Sequence, residues 1–167
     1  MLVRKAVRNA LGTAALVVWI SLPGMAEQPT NRALAAALDR AIAAGQTEQT
    51  QRALAEMLAR QHVELEVLLE TGAKLAEREY YVPAAEVFGR CAKDYPRNFE
   101  AHYNLALAEF ALRRYTEAQR ALDGLDPIPK SQQLARDYLR GKIQDALGQS
   151  ELAERSLTAA FNGAPEQ

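Results

Sequence analysis

A size pattern that recurs every 34 or 35 residues constrains this chain more than any other feature. Small residues stand at Gly72, Ala106 and Gly141, and again at Ala84, Ala118 and Ala153. Large apolar residues stand at Phe88, Leu122 and Leu157 in the same frame. Pro96 and Pro165 share the register, as do Cys91 and Ala160. Three segments therefore repeat, 65–98, 99–133 and 134–167, and the middle one has an additional residue, expected in the loop "DPIPKSQQ" at 126–133. The frame extends back over 31–64, where Leu34, Ala37, Leu38, Ala41, Leu54 and Met57 fall at apolar positions. That copy is worn, with Thr50 at the small position and His62 in place of proline. A plain helical hairpin capping the array is the competing reading of 31–64.

Each unit reads as two helices. In 65–98 the first has apolar residues at Leu65, Leu68, Leu69 and Leu75, a helical rather than alternating spacing. Pro83 is expected at the first position of the second helix, where its missing N–H has no partner to lose. Thr116 with Gln119 reads as a capping box for the corresponding helix of the next unit. Asn98 is placed to cap the helix after the turn at "DYPR". Helices this short are unstable alone in water. Their apolar stripes must be buried against each other and against the next unit. The small residues let backbones approach, and the large ones fill the space beside them. Ala118→Leu is expected to overpack that contact by about 1–3 kcal/mol. Gln119 is expected to be exposed and tolerant.

A 34-residue helix–turn–helix unit with this order of small and large residues resembles the tetratricopeptide repeat. The match is best in 65–98, at Leu68, Thr71, Gly72, Leu75, Tyr81, Ala84, Phe88, Cys91 and Pro96. The family's tryptophan is replaced by Leu68, His102 and Asp137 in the three units, and the middle proline comes early, at Pro127, which should shorten the second helix there. The resemblance implies an all-α, right-handed α-solenoid of three clear repeats plus one degenerate N-terminal repeat. It also implies a concave groove, lined by the first helices, for an extended peptide or a partner helix.

The family's groove positions fall on Leu69 and Ala73, on Tyr103, Asn104, Leu107 and Phe110, and on Tyr138, Lys142 and Asp145. Leu69, Tyr103 and Tyr138 share one position and are expected in a line along the groove. A tyrosine there serves either recognition or packing between neighbouring helices. Relatives that hold acidic C-terminal tails use basic residues and asparagine as a carboxylate clamp. Asn104 fits that pattern, but its partners would be Leu69, Ala73, Ala135 and Leu139, so the clamp is absent. The groove reads as mainly apolar and aromatic, with Glu66, Glu70, Glu77 and Glu100 adding negative character. Such a groove suits a protein or peptide segment with apolar anchors and a basic flank.

Residues 1–26 read as an export signal: Arg4, Lys5 and Arg8 precede an apolar stretch from Ala10 to Leu22, then Pro23 and Gly24-Met25-Ala26. The stretch is short of the roughly 20 residues that span a bilayer, so cleavage after Ala26 and a periplasmic or secreted product are expected. An uncleaved anchor is the alternative, and the only expected membrane contact. The remaining 27–167 holds 17 basic and 21 acidic residues, scattered rather than striped, which argues against a nucleic-acid partner. The single cysteine, Cys91, permits no internal disulfide and reads as a small core residue.

Catalysis has little support, and no cofactor or metal is expected. His62 and His102 lie 40 residues apart, with no ligand at metal spacing on one helical face. No phosphate-binding glycine loop and no serine on a strand-to-helix turn is present. At the other end, Leu157, Ala160 and Phe161 have no following helix to cover them, which leads us to expect self-association or continuation into a longer repeat protein.

Overall fold

A computed structural model describes residues 29–125 and 128–163; the export segment, Pro127 and Pro165 lie outside the described residues. Eight α-helices and no strand are found among them. They are α1 (Asn31–Ala43), α2 (Thr47–Ala59), α3 (Leu65–Glu77), α4 (Tyr81–Asp94), α5 (Phe99–Ala111), α6 (Tyr115–Asp123), α7 (Lys130–Ala146) and α8 (Ser150–Asn162). Within each pair the two helices pack together, and α4, α5, α6 and α7 continue neighbour on neighbour. The first helices also touch one another in sequence, α1 on α3, α3 on α5 and α5 on α7, while α2 touches α4. The result is an all-α solenoid with the first helices in one layer.

The four hairpin turns share one backbone device. Gly45, Glu79, Arg113 and Gly148 all have φ between 59° and 73°. The amides that follow, of Gln46, Tyr80, Arg114 and Gln149, donate to the carbonyls of Ala41, Leu75, Glu109 and Gln144 at 2.8–2.9 Å. This closes the helix with a left-handed residue and satisfies carbonyls that the helix end would leave open. The interval between these turns is the repeat interval. Glycine provides that conformation without strain at the first and last turns, but glutamate and arginine hold it in the middle two.

The small and large positions meet as their sizes require. A Cβ on Gly72 would lie 2.5 Å from Cε1 of Phe88, and one on Gly141 would lie 2.6 Å from Cγ of Leu157. Ala84, Ala106 and Ala118 are completely buried, and Phe88 and Leu122 nearly so. The core forms two clusters. One runs from Leu34 to Ala108, and the other from Ala106 to Ile143, with Leu105 packed against both. Cys91 is buried in the first, where loss of solvent pushes its thiol up to about 11.

Polar side chains latch the first two pairs together. Arg90 donates to the carbonyls of Leu58 (2.6 Å) and Arg60 (2.7 Å) at the end of α2, and its Nε is held by Asp94 at 2.6 Å. The Tyr95 hydroxyl donates to the Val63 carbonyl at 2.9 Å, and within the first unit Asn31 Nδ2 donates to the His62 carbonyl at 3.1 Å. A guanidinium at a helix C-terminus satisfies open carbonyls and opposes the negative end of the dipole.

Several local expectations change. Pro83 stands third rather than first in α4, still within the first turn, where an N–H would lack a helical acceptor. The Thr116–Gln119 capping box does not form, because α6 starts at Tyr115 with Arg114 at the cap position and no side-chain cap bond. Gln119 is half-buried, not exposed. Residues 130–133, expected as loop, are the first turn of α7. Ala160 is buried, although Leu157 and Phe161 are exposed. Asn98 caps α5 as expected, accepting from the Ala101 amide at 2.8 Å, and α6 is short at 9 residues.

Candidate functional site

The first-helix layer carries two hollows, one on each side of α3. Between α3 and α5 lies a hollow of about 240 Å³ lined by Ala73, Ala76, Glu77, Tyr81, Phe88, Asn104, Leu107 and Ala108. Its shape follows from size. Three alanines leave room at the walls, the buried Phe88 ring that covers Gly72 lies beneath them, and Leu107 stands at the rim, 40% exposed. Asn104 contributes an amide able to donate and accept. Glu77 brings a carboxylate that forms no ion pair among the described residues.

The second hollow, about 280 Å³ between α1 and α3, is lined mainly by Arg32, Ala35, Leu38, Asp39, Ile42, Glu70, Thr71 and Lys74. Its carboxylates are neutralised within the cluster, while Arg32 forms no ion pair among the described residues. Asp39 accepts from Arg78 Nη1 at 2.6 Å and lies 3.8 Å from Lys74 Nζ, while Lys74 is 3.0 Å from Glu70. The Arg78 hydrogen bond holds the Asp39 carboxyl below its usual range, and the Glu70 hydrogen bond raises Lys74. Sequence reasoning missed this cluster. Asp39 precedes Ala73 by the repeat interval, so carrying the groove register into the worn first copy would have found it.

The expected groove residues divide into three groups. Ala73, Asn104 and Leu107 come together in the α3/α5 hollow. Leu69 packs against the first core cluster. Tyr103 and Phe110 pack against the second: Tyr103 stacks on Phe99 at 5.3 Å, and Phe110 meets Tyr115 at 5.4 Å. Tyr138, at 53% exposure, presents its ring to solvent, and Lys142 and Asp145 are exposed on the same helix. The Tyr103 hydroxyl is pushed up, first by burial and then by the charge of the Tyr138 phenolate. At the position of the family's tryptophan, Leu68 is completely buried, and His102 donates from Nδ1 to the Ala121 carbonyl at 3.1 Å.

No protein-family model and no curated protein matches the chain. Solved structures do. One described as MamA MSR-1 C2 superposes with a TM-score of 0.58 at 18% identity, covering 83% of this chain and 79% of that one. A MamA point mutant gives a TM-score of 0.56 at 18% identity, covering 83% of this chain and all of the other. MamA is a tetratricopeptide-repeat protein. With eight helices packed neighbour on neighbour and the likeness to these structures, the chain has the tetratricopeptide-type α-solenoid fold.

Proposed function

We propose that this is an exported, non-enzymatic binding scaffold of the bacterial periplasm or cell envelope, whose first-helix layer receives a segment of another protein. The observation that carries the proposal is the α3/α5 hollow, where Ala73, Asn104 and exposed Leu107 meet, with exposed Tyr138 on the next first helix of the layer. An apolar recess with one amide and aromatic surface nearby is the chemistry of a side-chain anchor site. Export is supported by the basic-then-apolar order of residues 4–22 and the small residues Gly24 and Ala26 that follow.

The test is capture from an envelope extract, comparing the protein with Leu107→Asp and Tyr138→Ala, both at exposed positions. Loss of one defined protein in both variants supports the reading; identical capture by all three overturns it. Mass spectrometry of the product exported from a bacterial host should give an N-terminus at Glu27; an exported product that keeps Met1 would overturn cleavage in favour of an uncleaved anchor, and failure of export would remove the export signal.

A second reading, in which α8 docks on another copy or on further chain, is favoured by Phe161 at 81% exposure beside Leu157 at 37%. Light scattering after size exclusion tests it. A monomer at high concentration, unchanged by Phe161→Glu, excludes pairing between copies.

A further inference from the structure

We infer that the α3/α5 hollow takes one large apolar side chain of its partner and that a lysine or arginine beside this anchor is drawn to Glu77. The inference rests on the proposed binding role of the first-helix layer. It adds the occupant's chemistry, which the two hollows flanking α3 distinguish. The α1/α3 hollow pairs its carboxylates internally, Asp39 with Arg78 and Lys74, and Glu70 with Lys74, and leaves Arg32 as its one lining charge without an ion pair among the described residues, so it offers an incoming cation no attraction. The α3/α5 hollow differs on both counts. Its walls are Ala73, Ala76 and Ala108, with the Phe88 ring among them, and its only charged lining residue is Glu77.

The helices around it add charge of the same sign. Glu66, Glu70 and Ala73 lie on one face of α3 with Glu77, and Glu100 begins α5. Of these carboxylates only Glu70 is paired among the described residues. The volume of about 240 Å³ accommodates a leucine, methionine or phenylalanine side chain. An acidic neighbour to that anchor would be repelled by Glu77; a basic one would be attracted. Glu77 and Ala73 are one helical turn apart, about 6 Å. The cation therefore belongs to a residue next to the anchor or one further along, not to a distant part of the partner.

Selection of a random decapeptide library displayed on phage against the immobilised protein tests this. The expected winners carry Leu, Met, Phe or Trp with Lys or Arg within two positions. Fluorescein-labelled copies of a winner should bind ten- to a hundredfold more weakly when the anchor is changed to serine, matching the burial of one such side chain. Ala73→Leu, which fills the hollow, should remove binding. Leu107→Asp, at an exposed rim position, gives the same loss if Ala73→Leu does not fold. Glu77→Gln should weaken binding about two- to fivefold and reduce its sensitivity to salt, as for an exposed ion pair.

Acidic winners, winners that bind Ala73→Leu and Leu107→Asp unchanged, or the absence of any enriched sequence would each overturn the inference. The envelope capture experiment separates the two proposals. Capture that is lost in Leu107→Asp and Tyr138→Ala while the library yields no basic apolar motif sinks only this inference, and unchanged capture sinks the broader one.

Discussion

Replacing Gly72 by alanine tests the packing rule on which the array depends. An alanine Cβ would lie 2.5, 2.7 and 2.8 Å from Cε1, Cζ and Cδ1 of Phe88, where ordinary carbon contacts are 3.5 Å or more. The Phe88 ring must therefore move by about 1 Å, yet it is only 2% exposed and enclosed by the first core cluster. Overpacking of this kind costs about 1–3 kcal/mol, against which alanine regains up to about 1 kcal/mol of helix propensity. The net expectation for Gly72→Ala is a loss of about 1–2 kcal/mol. Urea unfolding followed by circular dichroism reads this as a lower midpoint with an unchanged slope. Phe88→Leu in the same chain shortens the group that collides, so the double mutant should lose less than the sum of the single losses by 1 kcal/mol or more, as for residues in contact. A Gly72→Ala protein as stable as the parent, or two losses that simply add, would refute the idea that the glycine exists to admit the ring.

The left-handed turn residues give a contrast free of steric contact. No heavy atom lies within 4 Å of a Cβ at Gly148, so Gly148→Ala should cost about 1 kcal/mol from backbone strain alone. Arg113→Gly, relieving the same strain, should stabilise by up to about 1 kcal/mol in the same urea assay. Arg90→Ala should cost about 2 kcal/mol, since it uncouples charge-assisted bonds to the α2 carbonyls; hydrogen exchange at 58–64 should accelerate before exchange in α7. Cys91 is raised to about 11 from 9.0, so its contribution is fully present below pH 9 and is lost as pH rises through 11. Stability should fall more steeply over pH 9–11 than in Cys91→Ala, and equal slopes would contradict the buried thiol. Asp39 is lowered by Arg78, so its contribution is present above pH 3.8 and is lost as pH falls through the depressed value. Asp39→Asn should flatten the acid limb of the unfolding profile.

What was legible in the sequence was size. Contacts such as Phe88 on Gly72 and Leu157 on Gly141 constrain volume at both partners, so they leave a mark that repeats with the units. Backbone devices left a weaker mark. Gly45 and Gly148 advertise their turns, but Glu79 and Arg113 hold the same φ with residue types that carry no signal. Thr116 misled because a capping pattern is meaningful only if the helix starts there, and α6 starts at Tyr115, after Arg114. The latch made by Arg90 was invisible for a different reason: its acceptors are main-chain carbonyls, which every residue has. At the candidate site, Ala73, Asn104 and Leu107 were legible through register. Glu77 was read only as general negative character, and the membership of Phe88 and Tyr81 required knowing how α4 lies behind α3 and α5.

The two core clusters share one helix, with Ala108 of α5 in the first, Ala106 in the second and Leu105 touching both. Under a stretching force applied at its ends, such a molecule can lose its two cores one at a time. One half can uncoil while the other keeps its shape, and α5 then becomes the frayed edge of the part that survives. Extension would then proceed in two steps rather than one, with the shared helix as the boundary between them.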